Sequence, residues 1–445
     1  MANTAPIRNL IEADEAAIAA AATALTQRPR PLRLDCGVQH YDWGDHSYIP
    51  GLLGQDNRPP RPFAELWIGA HPDLPSLARV EGHSIALDRL IKAAPEALLG
   101  RRVNANFGGR LPFLLKVLAA RQPLSIQAHP DLTQAHAGFE RESHQGIAIG
   151  DARRNYRDSN HKPELLVALT DFYALRGFRP LHEIARTLST TPELRALSRS
   201  WGAGKQRLAD LYRDLMRMPQ PDINAILDPM LARLEAEQIG AAFEREDWRF
   251  WLLHADRLFS QPGRRDRGLL SFLLLNLIHL RPGQGLYLPA GELHSYLQGA
   301  GLELMANSNN VLRGGLTPKH IDVDELLNVV RVDAAIDHAP ADIIEPAALD
   351  DACLRYRAPA AEYELQACTL PAGKRHRLRD ADVRLGLVLS GAVELHGNGI
   401  ELRLRQGQTF FIPPHCEISL RAKQSATLYL ADVPDDPADP PSSAA

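Results

Sequence analysis

The sequence predicts a mainly β protein with an α-helical insert, and three observations carry that prediction. From Leu32 to about Arg179, short apolar runs such as Leu111–Leu118 and Leu165–Leu169 are broken by Gly, Pro, Asn and Asp, as strands and turns are. Between Pro180 and about Asp266 the apolar period becomes helical, as in Leu194 with Leu197 and in Leu208, Leu211 and Leu215. From about Cys353 to Asp432 short β-rich runs return, joined by Gly-containing turns.

Taken in order, residues 1–31 predict an N-terminal helical extension and linker: Ile7–Thr26 is alanine-rich and predicts an exposed helix, and Arg28-Pro29-Arg30-Pro31 the linker. Residues 32–179 are the first part of a β domain, 180–268 the helical insert and 269–335 the second part of the β domain. The run Leu269–Leu280 is long for a strand and is expected to be helical. Gln284–Pro289 and Gly301–Ala306 predict strands, and Asp322 with Glu325 three residues on predicts a capped helix. Residues 336–432 predict a second β unit, with strands Val383–Leu389, Ala392–His396 and Thr409–Ile412 and turns at Ser390-Gly391 and Gly397-Asn398-Gly399. The Pro- and Asp-rich stretch 433–445 predicts a disordered tail.

At 445 residues with 45% hydrophobic and 23% charged side chains, the chain can bury two or three cores without staples. Its 50 Lys and Arg against 54 Asp and Glu give a formal charge of -4, spread without long blocks, which excludes the footprint of a nucleic-acid or membrane-surface binder. No apolar run is long enough to span a bilayer, and Glu12, Asp14 and Glu15 do not fit a secretory signal. The cysteines, Cys36, Cys353, Cys368 and Cys416, lie far apart and suggest neither a disulfide framework nor a zinc ribbon. A cytoplasmic protein is expected, working as a monomer.

Three segments concentrate polar groups. In Pro123–Asp131, strand alternation places Ser125, Gln127 and His129 on one face; taken alone, His129 fits equally a strand-end histidine bonded to a carbonyl. Glu164 stands at the mouth of the apolar run 165–169, where a carboxylate needs a cation or donors, unless it sits on a solvated rim. Gly283, Pro289, Gly291, His294 and Gln298 follow the G-x5-P-x-G-x2-H-x3-N spacing of a cupin second motif, with Gln in the last place. That hairpin turns its histidine into a small barrel, so the fold expected is two cupin-type, jelly-roll-like β-barrels plus a helical domain. Gln127, His129, Glu164 and His294 together form a nitrogen and oxygen donor set suited to one zinc per chain or another borderline divalent ion with open positions. Downstream, Arg313 and Lys319 flank a tight Asn- and Gly-rich loop and suit a phosphate. Two further echoes are expected to be structural: His71 lacks the preceding Gln of the His129 segment, and the hairpin beginning at Gly407 carries Ile418 where the histidine would stand.

Tyr41–Gly44, Glu65–Gly69, Gln122–Asp131, Asn160–Glu164, Tyr287–His294 and Asn310–Lys319, in that order, make the chain resemble the type I mannose-6-phosphate isomerases from about Leu32 to about Asp432. The resemblance implies a zinc-dependent aldose-ketose isomerase that interconverts mannose 6-phosphate and fructose 6-phosphate through a cis-enediol. It carries the zinc ligands onto Gln127, His129, Glu164 and His294, the active-site arginine onto Arg313, and pocket residues onto Ser125, Lys162, Glu303 and Lys319. Ser125, Arg313 and Lys319 are then expected to hold the phosphate. Glu303 is expected to be the base, with Lys162 its rival. Asn309 is a departure, because the resemblance leads to an Asp there. Two histidines and a carboxylate also suit a non-haem iron oxygenase, although Gln127 in a further ligand position argues against it; a non-catalytic sugar-binding bicupin is the other competitor.

Overall fold

The computed structural model describes residues 13–201, 207–332 and 343–435. It is mainly β, with two eleven-stranded antiparallel sheets and a helical region between Leu181 and Phe259. The sequence expectations for 1–12, 333–342 and 436–445 lie outside the described residues.

The first sheet is organised by one long strand, His294–Ala306. Its second half pairs with Phe113–Ala120 on one side and Glu164–Ala168 on the other, while its first half pairs with Ile126–Ala128 and Phe172–Phe178. The change of partners falls at Gly299, whose φ of 132° suits glycine and whose Cβ, if present, would lie 2.6 Å from the Asp171 carbonyl. Leu312–Gly315 adds beside Ile126–Ala128, so two polar-faced strands lie next to the start of the long strand.

The second sheet is built on Arg384–Gly397 and Ile418–Asp432. Three strands from early in the chain complete it: Leu32–Asp35 pairs with Thr409–Ile412, and Leu77–Val80 and His83–Ala86 follow outward. In return, Ile343–Ile344 pairs with Gly285–Leu288 of the first sheet. Leu115, Val117, Leu302 and Leu304 of one sheet therefore share a buried core with Leu385, Leu387, Phe411 and Tyr429 of the other. The helices Leu208–Arg217, Gln220–Gly240 and Trp248–Phe259 build their own core of Leu211, Leu215, Leu227, Leu231 and Trp251, which continues into Ile126, Ala128 and Leu312. The apolar residues alternating with the polar face of these two strands thus rest on the helical region.

Four sequence expectations are corrected. The N-terminal helix, Glu15–Gln27, is no exposed appendage: Ile18, Ala21, Ala22 and Leu25 are buried in the shared core. Leu269–Leu280 is helical only to Leu274 and then forms strand Leu275–Leu280, because Asn276–Leu280 finds antiparallel partners in Phe172–Arg176. Ser390-Gly391 is not a turn but a bulge inside one continuous strand, where the partner strand is long enough to pair through both halves. Cys353 and Cys368, separated in sequence, face each other across strands with Cα atoms 4.1 Å apart and form a disulfide. Among the described residues no helix is long and apolar enough to cross a membrane.

Candidate metal centre and substrate pocket

Gln127, His294 and Arg313 stand in a row on three neighbouring strands, Gln127 being the register partner of His294 on one side and Arg313 on the other. Adjacent strands lie about 4.8 Å apart, so the row spans roughly 10 Å. Glu164 begins its strand opposite Leu288 and Met305, and His129 follows directly on Ala128.

The donor groups converge. Glu164 Oε1 lies 3.4 Å from His129 Nε2 and Oε2 lies 3.4 Å from His294 Nε2, with all three residues buried. His129 Nδ1 is 2.7 Å from the Asn310 carbonyl and His294 Nδ1 is 3.0 Å from the Glu292 carbonyl. A carbonyl only accepts, so each Nδ1 donates, and each ring in its neutral form turns its Nε2 lone pair toward Glu164. Burial, reinforced by the Lys162 charge and only partly opposed by Glu164, pushes His129 down to about 4, so the ring is neutral at physiological pH. Burial alone would raise Glu164, but Lys162, 2.9 Å away, opposes it, and the carboxyl is held well below its usual range.

Two imidazole lone pairs facing a carboxylate repel unless a cation lies between them, and His129 Nε2 is buried without a hydrogen-bond partner. The Gln127 amide nitrogen donates to Ser125 Oγ at 3.0 Å, which leaves its oxygen free to join the set. These residues fit a divalent ion of the zinc class: two imidazoles and a carboxylate, all buried, with their ligand atoms within 4.8 Å of one another.

Beyond His294, Glu303 is register partner of Lys116, and Lys116 of Trp67. Lys116 Nζ lies 3.0 Å from Glu303 and 3.4 Å from Glu65, whose other oxygen accepts the Trp67 indole N–H at 2.8 Å. Burial raises Glu303 above the usual carboxylate range; Lys116 opposes this and Glu164 and Glu65 add to it. Tyr363, from the chain leading into the second sheet, is fully buried, with an unpartnered hydroxyl in the field of Glu164 and Glu303.

At the other end of the row, Arg313 is half-buried, and burial together with Arg157 lowers its pKa. Burial, Arg313 and Arg157 lower Lys319 likewise. Among the described residues none of these three cations has a carboxylate partner, so the pocket carries uncompensated positive charge, as an anion site does.

The structure therefore places the residues singled out in the sequence along this row and its flanks; His71 packs edge-on against Trp67 within the field of Lys116 and Lys162, and Ile418 is buried core elsewhere. Asn309 Nδ2 donates to Asp73 at 2.9 Å; a carboxylate in its place would meet Asp73 with like charge. Lys116, Glu65, Arg157 and Tyr363 escaped attention as site residues. Lys116 had a visible signal, a single charge inside the apolar strand FLLKVLAA, whereas Arg157 sits in an irregular loop and had none.

A buried imidazole and carboxylate donor set beside an unneutralised cation cluster, on two antiparallel sheets, defines a cupin-type metalloenzyme site for a small anionic substrate. Residues 32–181 match the family described as "Phosphomannose isomerase type I, catalytic domain". The chain is 41% identical over 304 residues to the mannose-6-phosphate isomerase of Escherichia coli, covering 67% of this chain and 74% of that one, and 33% identical to mannose-6-phosphate isomerase 1 of Arabidopsis thaliana, covering 91% and 94%. Among solved structures it superposes on a zinc-bound mannose 6-phosphate isomerase with a TM-score of 0.80 at 32% identity, covering 91% of this chain and 99% of that one, and on a phosphomannose isomerase variant from Salmonella typhimurium with a TM-score of 0.81, also at 32% identity and with the same coverage. The chain belongs to the type I mannose-6-phosphate isomerase family. The oxygenase and non-catalytic alternatives lose their support with that assignment.

Proposed function

We propose that the chain interconverts D-mannose 6-phosphate and D-fructose 6-phosphate through a cis-enediol, with one zinc held by Gln127, His129, Glu164 and His294. The observation that carries this reading is the row His294, Gln127, Arg313, which sets two of the metal donors directly beside a cation that has no carboxylate partner among the described residues. Ser125, Arg313 and Lys319 hold the phosphate, and Arg157 adds a third cation. When bound, zinc supplies Lewis acidity that stabilises oxyanion charge and makes the adjacent C–H more acidic.

Glu303 moves the proton between C2 and C1. Its raised pKa supports this role, because a base poised toward working pH both accepts and returns a proton. Lys116 keeps enough of it ionised to begin the cycle. Lys162, bound to Glu164, is the rival proton carrier. The second sheet carries Ile418 in place of a ligand histidine, which supports a degenerate barrel over 336–432.

A coupled assay with mannose 6-phosphate tests the reading, run before and after chelation and again with zinc restored. Activity that disappears and returns with zinc is the expected result. Inactivity of the folded, zinc-loaded protein would refute the reading. Glu303→Gln with zinc retained and turnover lost assigns the base, while full activity in that variant moves the role to Lys162.

A further inference from the structure

Among the described residues a second convergence of metal-capable groups lies in the second sheet, around Asp350, Cys353 and His376. Cys353 begins strand Cys353–Tyr356, and its register partner Cys368 lies in Glu364–Leu370; both are buried and bonded to one another. His376, on the short strand Arg375–Arg377, places Nε2 3.6 Å from Cys353 Sγ and 3.7 Å from Asp350 Oδ2. Asp350 Oδ1 is fixed by accepting the backbone N–H groups of Ala352 and Cys353, both at 2.9 Å, which aims Oδ2 at the imidazole.

A disulfide has no need of either the histidine or the carboxylate. Tetrahedral zinc has a need for both: Zn–S of about 2.3 Å and Zn–N of about 2.0 Å put sulfur and nitrogen roughly 3.6 Å apart, and nitrogen and oxygen roughly 3.3 Å apart. The Cys353–His376 and His376–Asp350 separations are already close to these, and Cys368 joins the set once its bond to Cys353 opens. The cysteines are shielded, while the His376 and Asp350 side chains are 10% and 25% exposed and so offer an entry path from solvent.

We propose that the reduced Cys353–Cys368 pair, with His376 and Asp350, is a second zinc-class site, separate from the catalytic cluster. A dithiol reductant delivers two electrons and two protons to the S–S bond, giving two thiols and the reductant's own disulfide. Zinc then displaces both thiol protons, and the ion ties together two strands, the short His376 strand and the turn before Cys353. This edge is thus stapled in either state, by the bond between the two cysteines when oxidised and by a metal held by all four side chains when reduced. The inference stands independently of the isomerase reading.

Cobalt substitution tests it on the full chain. The catalytic donors hold no sulfur, so, with the dithiol reductant removed, a near-ultraviolet sulfur-to-cobalt charge-transfer band reports thiolate ligation, and Cys368→Ser separates this site from the free thiols Cys36 and Cys416. The expected result is that protein reduced under native conditions exposes the two additional thiols to titration, takes up a second metal equivalent and shows the band. Oxidised protein and Cys368→Ser take up one equivalent and show none, with isomerase activity retained. His376→Gln, which leaves both sulfurs and the fold in place, loses the second equivalent or releases it to a weaker chelator. Reduced, folded protein that binds one equivalent without the band, or a bond that cannot be reduced without unfolding, would overturn the proposal.

Discussion

Lys116→Met removes the buried cation that Glu65 and Glu303 share. Nζ lies 3.4 and 3.0 Å from the two carboxylates, and all three side chains are less than a tenth exposed. Breaking a buried ion pair by deleting one partner costs about 3–5 kcal/mol, and the lost contact with the Trp67 ring, 5.1 Å away, adds about 1 kcal/mol. The chain escapes most of that cost by protonating Glu303, whose pKa burial already raises. At 1.36 kcal/mol per pKa unit, relief of about 3–5 kcal/mol is an upward move of about two to four units. The sign follows from linkage: a carboxyl whose folded pKa lies above its unfolded value binds protons more tightly when folded, so the variant's stability deficit is full at high pH and shrinks as pH falls through the raised pKa. If Glu303 is the base, the acid limb of kcat/KM must move alkaline by the same amount while zinc content is unchanged. Denaturant unfolding and initial rates between pH 5 and 9 give both quantities. A variant with the wild-type pH profile and wild-type stability would show that Lys116 does not set the charge on Glu303.

Three further outcomes follow from the same geometry. Arg157→Ala should raise KM for the sugar phosphate about tenfold with kcat nearly unchanged, since an exposed charge-assisted contact is worth about 1.5 kcal/mol; an unaltered KM in steady-state kinetics removes Arg157 from the phosphate site. Gly138→Ala builds a Cβ 2.4 Å from the Tyr156 ring, and the resulting overpacking should cost about 1–3 kcal/mol in urea unfolding and loosen the loop that carries Arg157. Asn310→Ala removes the side chain that accepts from the Arg157 and Asp158 N–H groups and donates to the Asp158 and Asn160 carbonyls, for a loss of about 2–4 kcal/mol; a wild-type melting curve would contradict it.

Some of these features were legible before any coordinates. Turn glycines, prolines and strand alternation are local, so the hairpin at Gly283–His294 and the alternating face of Ser125, Gln127 and His129 could be recognised from spacing, and Glu164 from its place ahead of an apolar run. The helical insert was visible through its period. The boundary at Leu275 was not, because the leucines run on across it without a break in apolar character; Phe172–Arg176 decided it by pairing.

By itself, then, the sequence determined the class of chemistry: which side chains can ligate a metal, which cations are available for a phosphate, and which segments alternate so as to present them together. Only the tertiary structure decided which groups act on one another at a distance. Lys116 reaches Glu303 because Phe113–Ala120 lies beside His294–Ala306 in one register and no other, and Cys353 meets Cys368 for the same kind of reason. The N-terminal helix, whose alanine-rich sequence suggests exposure, docks because Ile18 and Leu25 find the shared core of both sheets. Long-range strand register is set by the sum of many weak side-chain burials across the sheet, and no short window of residues contains that sum.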